Sequence, residues 1–121
     1  MNDENFANRD WGKWLVLAMQ PGFKVKKLTV EPGKALSKQY HTHRDEYWVV
    51  LQGTGDLYLN FESRVDGEPT DFNIHIFKGY YIKIDKEVIH KLSNTGEEPL
   101  VIIEIQVGEI TEEGDIIRLP E

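Results

Sequence analysis

The chain has 121 residues, no cysteine and a formal net charge of −7, and this length corresponds to one domain. The lack of cysteine excludes disulfides and thiolate zinc sites, so any metal would have to be bound by nitrogen and oxygen. The acidic balance argues against a nucleic-acid partner, whereas a local cluster of arginine and lysine could still bind a small phosphorylated ligand.

The N-terminal stretch MNDENFANRD is polar and acidic, whereas a secretory signal would begin basic and continue apolar. No run in the chain approaches the roughly 18 consecutive apolar residues of a membrane span. We therefore expect a cytoplasmic protein with no membrane partner. Residues 1–8 are expected to form a flexible segment, and residues 9–121 a single domain.

Strand-like segments dominate the rest of the chain. The stretch 10–19, DWGKWLVLAM, fits either a helix that begins after Asp10 or a strand. Seven later segments are short, rich in β-branched or aromatic residues and separated by turn formers: 23–30, 46–52, 55–61, 72–77, 80–84, 90–94 and 100–107. This pattern predicts an all-β antiparallel sandwich or barrel, with 62–71 as an exposed hairpin tip.

One stretch, SKQYHTHRDEYWVVLQG at 37–53, combines metal-capable side chains with an apolar run that ends at glycine. In an extended strand the side chains alternate between faces, so Gln39, His41 and His43 are predicted to share one face. A surface strand would not need so many metal-capable groups on one edge, and a core strand would exclude them. The alternation therefore indicates a site.

Further ligands would have to come from the following segments. Arg44 and Asp45 are predicted to form a turn, after which Glu46 begins the next strand and returns its carboxylate to the same interior. His90 is the candidate for a fourth ligand from a distant part of the chain. Each of these residues taken alone is more often structural, because buried polar groups normally find protein partners. Their joint spacing is what favours a metal site.

That spacing resembles the cupin superfamily, whose members are small β-barrels or jelly rolls. The positions of the first cupin motif are occupied by Gly33, Gln39, His41, Glu46 and Gly53, with glutamine in place of the first histidine. Those of the second motif are occupied by Gly79, Asp85, Glu87, His90 and Asn94. Here an aspartate and a glutamate replace a proline and a glycine, which is expected to affect a turn more than the site.

A narrower resemblance extends over about residues 9–118. It is carried by RDWG (9–12), PGKALSKQYHTHRDEYW (32–48), HKLSNTGEEPLVIIEIQVG (90–108) and EGDIIR (113–118). These segments are similar to those of the type II mannose-6-phosphate isomerase cupin, which is often the C-terminal part of bifunctional mannose-1-phosphate guanylyltransferases. The resemblance implies that residues 9–121 form one cupin domain.

The resemblance also implies a divalent metal bound by Gln39, His41, Glu46 and His90. This mixed nitrogen–oxygen set suits Zn, Mn, Fe, Co or Ni, and the sequence does not choose among them. The implied activity is metal-dependent aldose–ketose isomerisation of a hexose 6-phosphate, from mannose 6-phosphate to fructose 6-phosphate. Cupins support many chemistries, so a non-catalytic metal- or sugar-binding cupin and a cupin oxygenase remain alternatives.

Catalytic roles fall on three further residues. His43 is a candidate base for proton transfer, or else a residue that contacts the substrate or orients a ligand. Arg44 and Arg118 match arginines of the family motifs and are expected to bind the sugar phosphate, because guanidinium groups suit phosphate. Glu104 and Gln106 could contribute polar contacts inside the barrel.

The alternation of side chains along a strand predicts where two further side chains point. Lys38 is expected to point away from the cavity, opposite Gln39, and Trp48 to lie on the same side as Glu46. Arg9 is expected to be solvated, like most terminal arginines. The resemblance also leaves room for a homodimer, since exposed edge strands favour pairing.

Overall fold

The computed structural model describes residues 5–62, 69–109 and 116–120, and these residues confirm the predicted all-β class. The strands are β1 (Phe6–Arg9), β2 (Gly12–Gln20), β3 (Phe23–Val30), β4 (Gln39–His41), β5 (Arg44–Gln52), β6 (Thr54–Glu62), β7 (Pro69–Phe77), β8 (Tyr81–Ile84), β9 (Ile89–Ser93), β10 (Leu100–Gly108) and β11 (Ile116–Arg118). Within the described ranges no helix is long and apolar enough to cross a bilayer.

The strands form two antiparallel sheets. One sheet has six strands in the order β1-β2-β3-β10-β5-β8, and the other has five in the order β11-β4-β9-β6-β7. Strands that are close in sequence, such as β4 and β5, lie in different sheets. The chain therefore crosses between the layers at short connections, and side chains from both sheets meet in the space between them.

The apolar part of this interior is built from alternate residues of both sheets. Its buried members are Trp14, Leu28, Val30, Trp48, Val50, Leu57, Leu59, Ile76, Ile84, Leu92, Leu100 and Ile102. Along β10 the inward positions change from Leu100 and Ile102 to Glu104 and Gln106. One end of the interior is consequently apolar and the other polar.

The N-terminal region contributes two strands to the six-stranded sheet. The ambiguous stretch 10–19 is largely the strand β2, which pairs with β3. Residues 6–8 of the segment expected to be flexible belong to β1, where Phe6 lies opposite Leu15 and Ala7 packs against the core. Residues 1–4 lie outside the described part of the chain.

The hairpin predicted at 62–71 joins β6 and β7, which pair along their whole length from Thr54 opposite Phe77 to Glu62 opposite Pro69. Residues 69–71 are thus part of a strand and not of a loop. The tip itself, 63–68, lies outside the described residues.

The turn before β9 contains an unusual backbone conformation. Glu87, which stands at a glycine position of the cupin motif, has φ = 70°, a region that residues with a Cβ rarely adopt. Its N–H donates a 2.6 Å hydrogen bond to the carbonyl of His41, and the N–H of Val88 bonds to Asp85 at 3.2 Å. This turn therefore connects the start of β9 to the end of β4. The two residues that depart from the cupin motif, Asp85 and Glu87, both lie in it, as predicted.

Candidate metal centre

The connection between β4 and β5 decides which side chains face inward. The bend lies at Thr42 and His43, and Arg44 already begins β5. The predicted turn at Arg44 and Asp45 is therefore wrong, and the alternation restarts after the bend. His43 is exposed, with its Nδ1 2.8 Å from Thr42 Oγ1, so the prediction that it shares the ligand face is also wrong.

Three predicted ligands meet in the buried interior. His41, Glu46 and His90 each place one potential ligand atom within 4.8 Å of the others. His41 Nε2 lies 3.0 Å from Glu46 Oε2, and His90 Nε2 lies 4.0 Å from Glu46 Oε1. Strands from both sheets thus bring two imidazoles and one carboxylate to a single point.

Gln39 lies beside this group. It pairs with His90 across β4 and β9, and its Nε2 donates a 3.1 Å hydrogen bond to the carbonyl of Ser37. The amide is held through its nitrogen, so its oxygen is the end that is available to a cation. On the other ring, His90 Nδ1 lies 3.0 Å from the carbonyl of Val88, which fixes Nδ1 as the protonated nitrogen and leaves the Nε2 lone pair free to coordinate.

Arg44 is held at the same carboxylate. Its Nε and one terminal nitrogen lie 3.0 and 2.9 Å from Glu46 Oε2, and the same terminal nitrogen lies 3.4 Å from His41 Nε2. The other oxygen, Glu46 Oε1, accepts a 3.1 Å hydrogen bond from Trp48 Nε1. Both oxygens of Glu46 are therefore oriented by neighbouring donors, and Trp48 lies on its side of the strand, as parity predicts.

The electrostatics of the group favour a cation. Burial alone would raise the pKa of Glu46, but the hydrogen bond with His41 and the nearby positive charges hold this pKa well below its ordinary value. Burial lowers the pKa of His90, against the opposing effect of the Glu46 carboxylate. An ionised carboxylate beside a neutral imidazole is the protonation state that coordinates metals.

The residues fit a divalent ion by this chemistry. Two imidazole nitrogens, a carboxylate and an amide oxygen form a donor set for borderline transition metals. His41 Nδ1 is buried without a hydrogen-bond partner among the described residues, so this ring still has a polar atom to satisfy.

The ligand group forms one wall of a cavity of about 270 Å³. Gln39, His41, Glu46 and His90 all line it, whereas His43 and Lys38 do not. This confirms the outward placement of Lys38, whose Nζ lies 5.5 Å from the ring centroid of Tyr58. Apolar side chains, with Trp11, Trp14 and Leu28 among them, line other parts of the cavity.

The cavity is cationic although the chain is acidic. Four basic side chains line it, namely Arg9, Lys26, Arg44 and Arg118, against the carboxylates of Glu46 and Glu104. Arg118 lies directly opposite Gln39 across β11 and β4. The exposed side chain of Arg9, expected to be solvated only, also borders the cavity. Such a lining favours an anionic ligand.

Lys26 was not predicted as a site residue, yet it is almost completely buried beside the cavity. Its Nζ lies 4.2 Å from the ring centroid of Trp14. A signal does exist in the sequence FKVKKLTV, because Lys24 and Lys26 share the parity of the core residues Leu28 and Val30. The charge of the two lysines obscures this pattern.

Glu104, which the sequence suggests only as a polar contact, is a buried carboxyl in the same cavity. Burial, reinforced by the negative charge of Glu46, raises the pKa of Glu104 to about 8. Its Oε2 accepts a 2.7 Å hydrogen bond from Gln106 Nε2. Gln106 is fully buried, and its Oε1 has no partner among the described residues.

The chain matches the family model described as "Mannose-6-phosphate isomerase C-terminal" over residues 2–121. It is 39% identical over 113 residues to the mannose-1-phosphate guanylyltransferase of Klebsiella pneumoniae, which covers 93% of this chain and 22% of that protein. The chain thus spans about a fifth of the length of the curated relatives it matches.

Two solved structures show the same fold. The capsular polysaccharide assembling protein CapF from Staphylococcus aureus is similar with a TM-score of 0.77 and 17% identity, over 96% of this chain and 34% of that one. The cupin domain of Schizosaccharomyces pombe Cnp3 has a TM-score of 0.69 and 14% identity, over 79% and 64% of the respective chains. The predicted cupin barrel is therefore confirmed, and the chain belongs to the mannose-6-phosphate isomerase C-terminal family.

Proposed function

We propose that this protein is a metal-dependent aldose–ketose isomerase that acts on a hexose 6-phosphate, with mannose 6-phosphate and fructose 6-phosphate as its substrate pair. The observation that carries the proposal is the convergence of His41, Glu46 and His90 on one wall of a cationic cavity. The description of the family supports the choice of reaction.

The proposed metal is a divalent ion of Zn, Mn, Fe, Co or Ni. Its ligands would be Gln39, His41, Glu46 and His90. When bound, such an ion supplies a Lewis acid that polarises the sugar carbonyl and stabilises negative charge on its oxygen. Arg44 and Trp48 would hold the Glu46 carboxylate in position through the hydrogen bonds that they already make.

The proposed phosphate site lies at the exposed side of the cavity. Arg9 and Arg118 are both exposed and both border it. One guanidinium group can bind two phosphate oxygens at once. Arg44 is less suited to this role than the sequence suggests, because Glu46 already engages two of its nitrogens. A cavity of about 270 Å³ is slightly smaller than the usual range for small-molecule sites, roughly 300–1,000 Å³, and so suits a small ligand.

The direct test is product analysis with defined metals. Protein freed of metal by chelation and then loaded with one of the five ions is incubated with mannose 6-phosphate, and fructose 6-phosphate is measured. His41→Ala and His90→Ala are expected to lose both metal and activity. His75→Ala is the matched control, since His75 is an exposed histidine that pairs with Asp56 on the outside of the barrel.

Other results of this experiment would favour a different function or contradict the proposal. If mannose 6-phosphate stays unchanged but raises the melting temperature of the metal-loaded protein, the domain is a binding module and not an isomerase. Oxygen consumption that depends on the metal would instead indicate a cupin oxygenase. A wild-type protein that retains no divalent ion after equilibrium dialysis would contradict the proposal at its first step.

A further inference from the structure

The isomerisation needs a group that carries a proton between two carbons, and the metal ligands do not supply it. Among the described residues that line the cavity, Glu104 and Lys26 are the titratable groups left once the proposed ligands and the arginines are set aside. They are cross-strand neighbours on β10 and β3. Both are buried, with 6% and 3% of their surface exposed.

Glu104 lies on the same inner sheet face as the proposed ligand Glu46. In the pairing of β10 with β5, Gln106 lies opposite Glu46 and Glu104 lies opposite Trp48. Glu104 and Glu46 are therefore diagonal neighbours on the inner face of the sheet, with backbones roughly 7–8 Å apart. Both side chains line the same cavity, so a sugar whose carbonyl is held near Glu46 would lie beside Glu104.

The surroundings of Glu104 hold its carboxyl in one orientation and strengthen it as a base. Gln106 Nε2 is 2.7 Å from its Oε2, and Gln106 is itself completely buried. Burial and the charge of Glu46 raise the pKa of Glu104 to about 8, and a carboxyl that titrates close to neutral pH is suited to both taking up and returning a proton. Lys26 is the weaker candidate, because its Nζ lies over the Trp14 ring, 4.2 Å from the centroid, and is already engaged in that cation–π contact.

We propose that Glu104 is the catalytic base that moves the proton between C1 and C2 of the open-chain sugar, an inference that rests on the proposed isomerase function. The Glu104 carboxylate removes the proton from C2. The electron pair of the C–H bond forms the C1=C2 double bond, and the C1=O1 π pair moves onto O1.

The second half of the reaction reverses this flow. The proton on O2 passes to O1, the freed pair on O2 forms the C2=O2 carbonyl, and the C1=C2 pair takes the proton from Glu104 at C1. One proton has moved from C2 to C1 and one from O2 to O1, so the step needs no oxidant or reductant. Glu104 returns to its carboxylate form.

The test compares metal-loaded wild-type protein with Glu104→Gln, which removes the base but retains the shape of the side chain. Three quantities are measured: bound metal, the dissociation constant for mannose 6-phosphate, and deuterium incorporated from D₂O at C1 and C2. The proposal predicts unchanged metal, sugar affinity within about threefold, and a loss of roughly 100-fold or more in turnover and deuterium incorporation. Glu97→Gln is the control, because Glu97 is exposed and does not line the cavity.

The outcomes separate this inference from the function on which it rests. A wild-type protein with neither isomerisation nor deuterium incorporation overturns both. An active wild-type protein with a Glu104→Gln variant of similar turnover overturns the role of Glu104 alone, and so does a variant that loses metal or sugar binding. If Glu104→Gln does not fold, Glu104→Asp replaces it: a lower kcat at unchanged metal content and sugar affinity supports the proposal, and an unchanged kcat contradicts it.

Discussion

The guanidinium of Arg44 lies against the carboxylate of Glu46, with two of its nitrogens 3.0 and 2.9 Å from Oε2. Both side chains are almost completely buried. Oε2 is also the oxygen closest to His41 Nε2. Arg44 therefore places its positive charge beside the carboxylate that the proposed divalent ion would also bind.

Replacement of this guanidinium should make the free energy of unfolding depend more strongly on bound metal. In chelated protein, Arg44→Met removes the guanidinium that lies against the buried Glu46 carboxylate, which is expected to lower the free energy of unfolding by about 3–5 kcal/mol. A bound divalent ion compensates the charge, so the metal-induced stabilisation should be larger in the variant than in the wild type. Urea unfolding with chelator and with each metal measures both quantities.

Arg9→Met serves as the control for that experiment, since Arg9 also borders the cavity but is exposed. Its unfolding free energy should stay within about 0.5 kcal/mol of the wild type. An Arg44→Met protein that gains no more stability from metal than the wild type would contradict the interpretation that Arg44 and the metal both stabilise the Glu46 carboxylate.

The raised pKa of Glu104 predicts a pH dependence of stability in the metal-free protein. Because burial raises this pKa from 4.5 to about 8, the folded state binds more protons than the unfolded state between these values. The resulting stabilisation is complete below the unfolded pKa and is lost as pH rises toward 8. Glu104→Gln should remove this dependence.

The measurement is urea unfolding of both proteins in chelator from pH 5 to pH 8. Each unit of pKa shift corresponds to about 1.4 kcal/mol, so the variant should gain a few kcal/mol relative to the wild type across this range. Parallel stability curves for the two proteins would show that Glu104 titrates normally.

The conformation of Glu87 predicts a stabilising substitution. An L-residue in the left-handed region carries roughly 1–2 kcal/mol of strain, which exceeds the added chain entropy of glycine. Glu87→Gly should therefore raise the free energy of unfolding by about 0.5–1 kcal/mol, as thermal and urea unfolding can measure. At the neighbouring Lys86, whose φ is not positive, glycine should instead be destabilising; equal losses at both positions would contradict the prediction.

The outer face of the six-stranded sheet is where we predict that two copies of the chain associate. Phe6, Leu15, Ile103, Val49 and Tyr81 lie side by side across it, with Lys27 in the same row. Tyr81 is 79% exposed. The six strands of this sheet, which are four to nine residues long and about 4.8 Å apart, present roughly 700 Å², close to the ~800 Å² that one partner contributes to a standard interface.

A second copy of the chain is the occupant that we expect on this face. Sedimentation equilibrium should show a dimer for the wild type and a monomer for the double variant Leu15→Lys, Val49→Lys. Phe72→Lys, at an exposed position of the other sheet, should remain dimeric. A wild-type protein that is monomeric throughout the concentration range would refute the prediction.

Local patterns in the sequence predicted much of the fold. The range 23–30 coincides with β3, because alternation and flanking turn residues depend only on neighbours in the chain. The spacing of Gln39, His41, Glu46 and His90 pointed to one site, and the structure brings these residues together. Motif spacing captured this long-range convergence, which alternation alone could not.

The tertiary structure decided where the polar interior begins. Strict alternation misplaces His43, because the bend at residues 42–43 interrupts it and Arg44 then turns inward to Glu46. The burial of Lys26 and Glu104 depends on the pairing of β3 with β10, strands that are far apart in sequence. Whether a charged side chain is solvated or enclosed is set by the second sheet that covers it, and no local pattern contains that information.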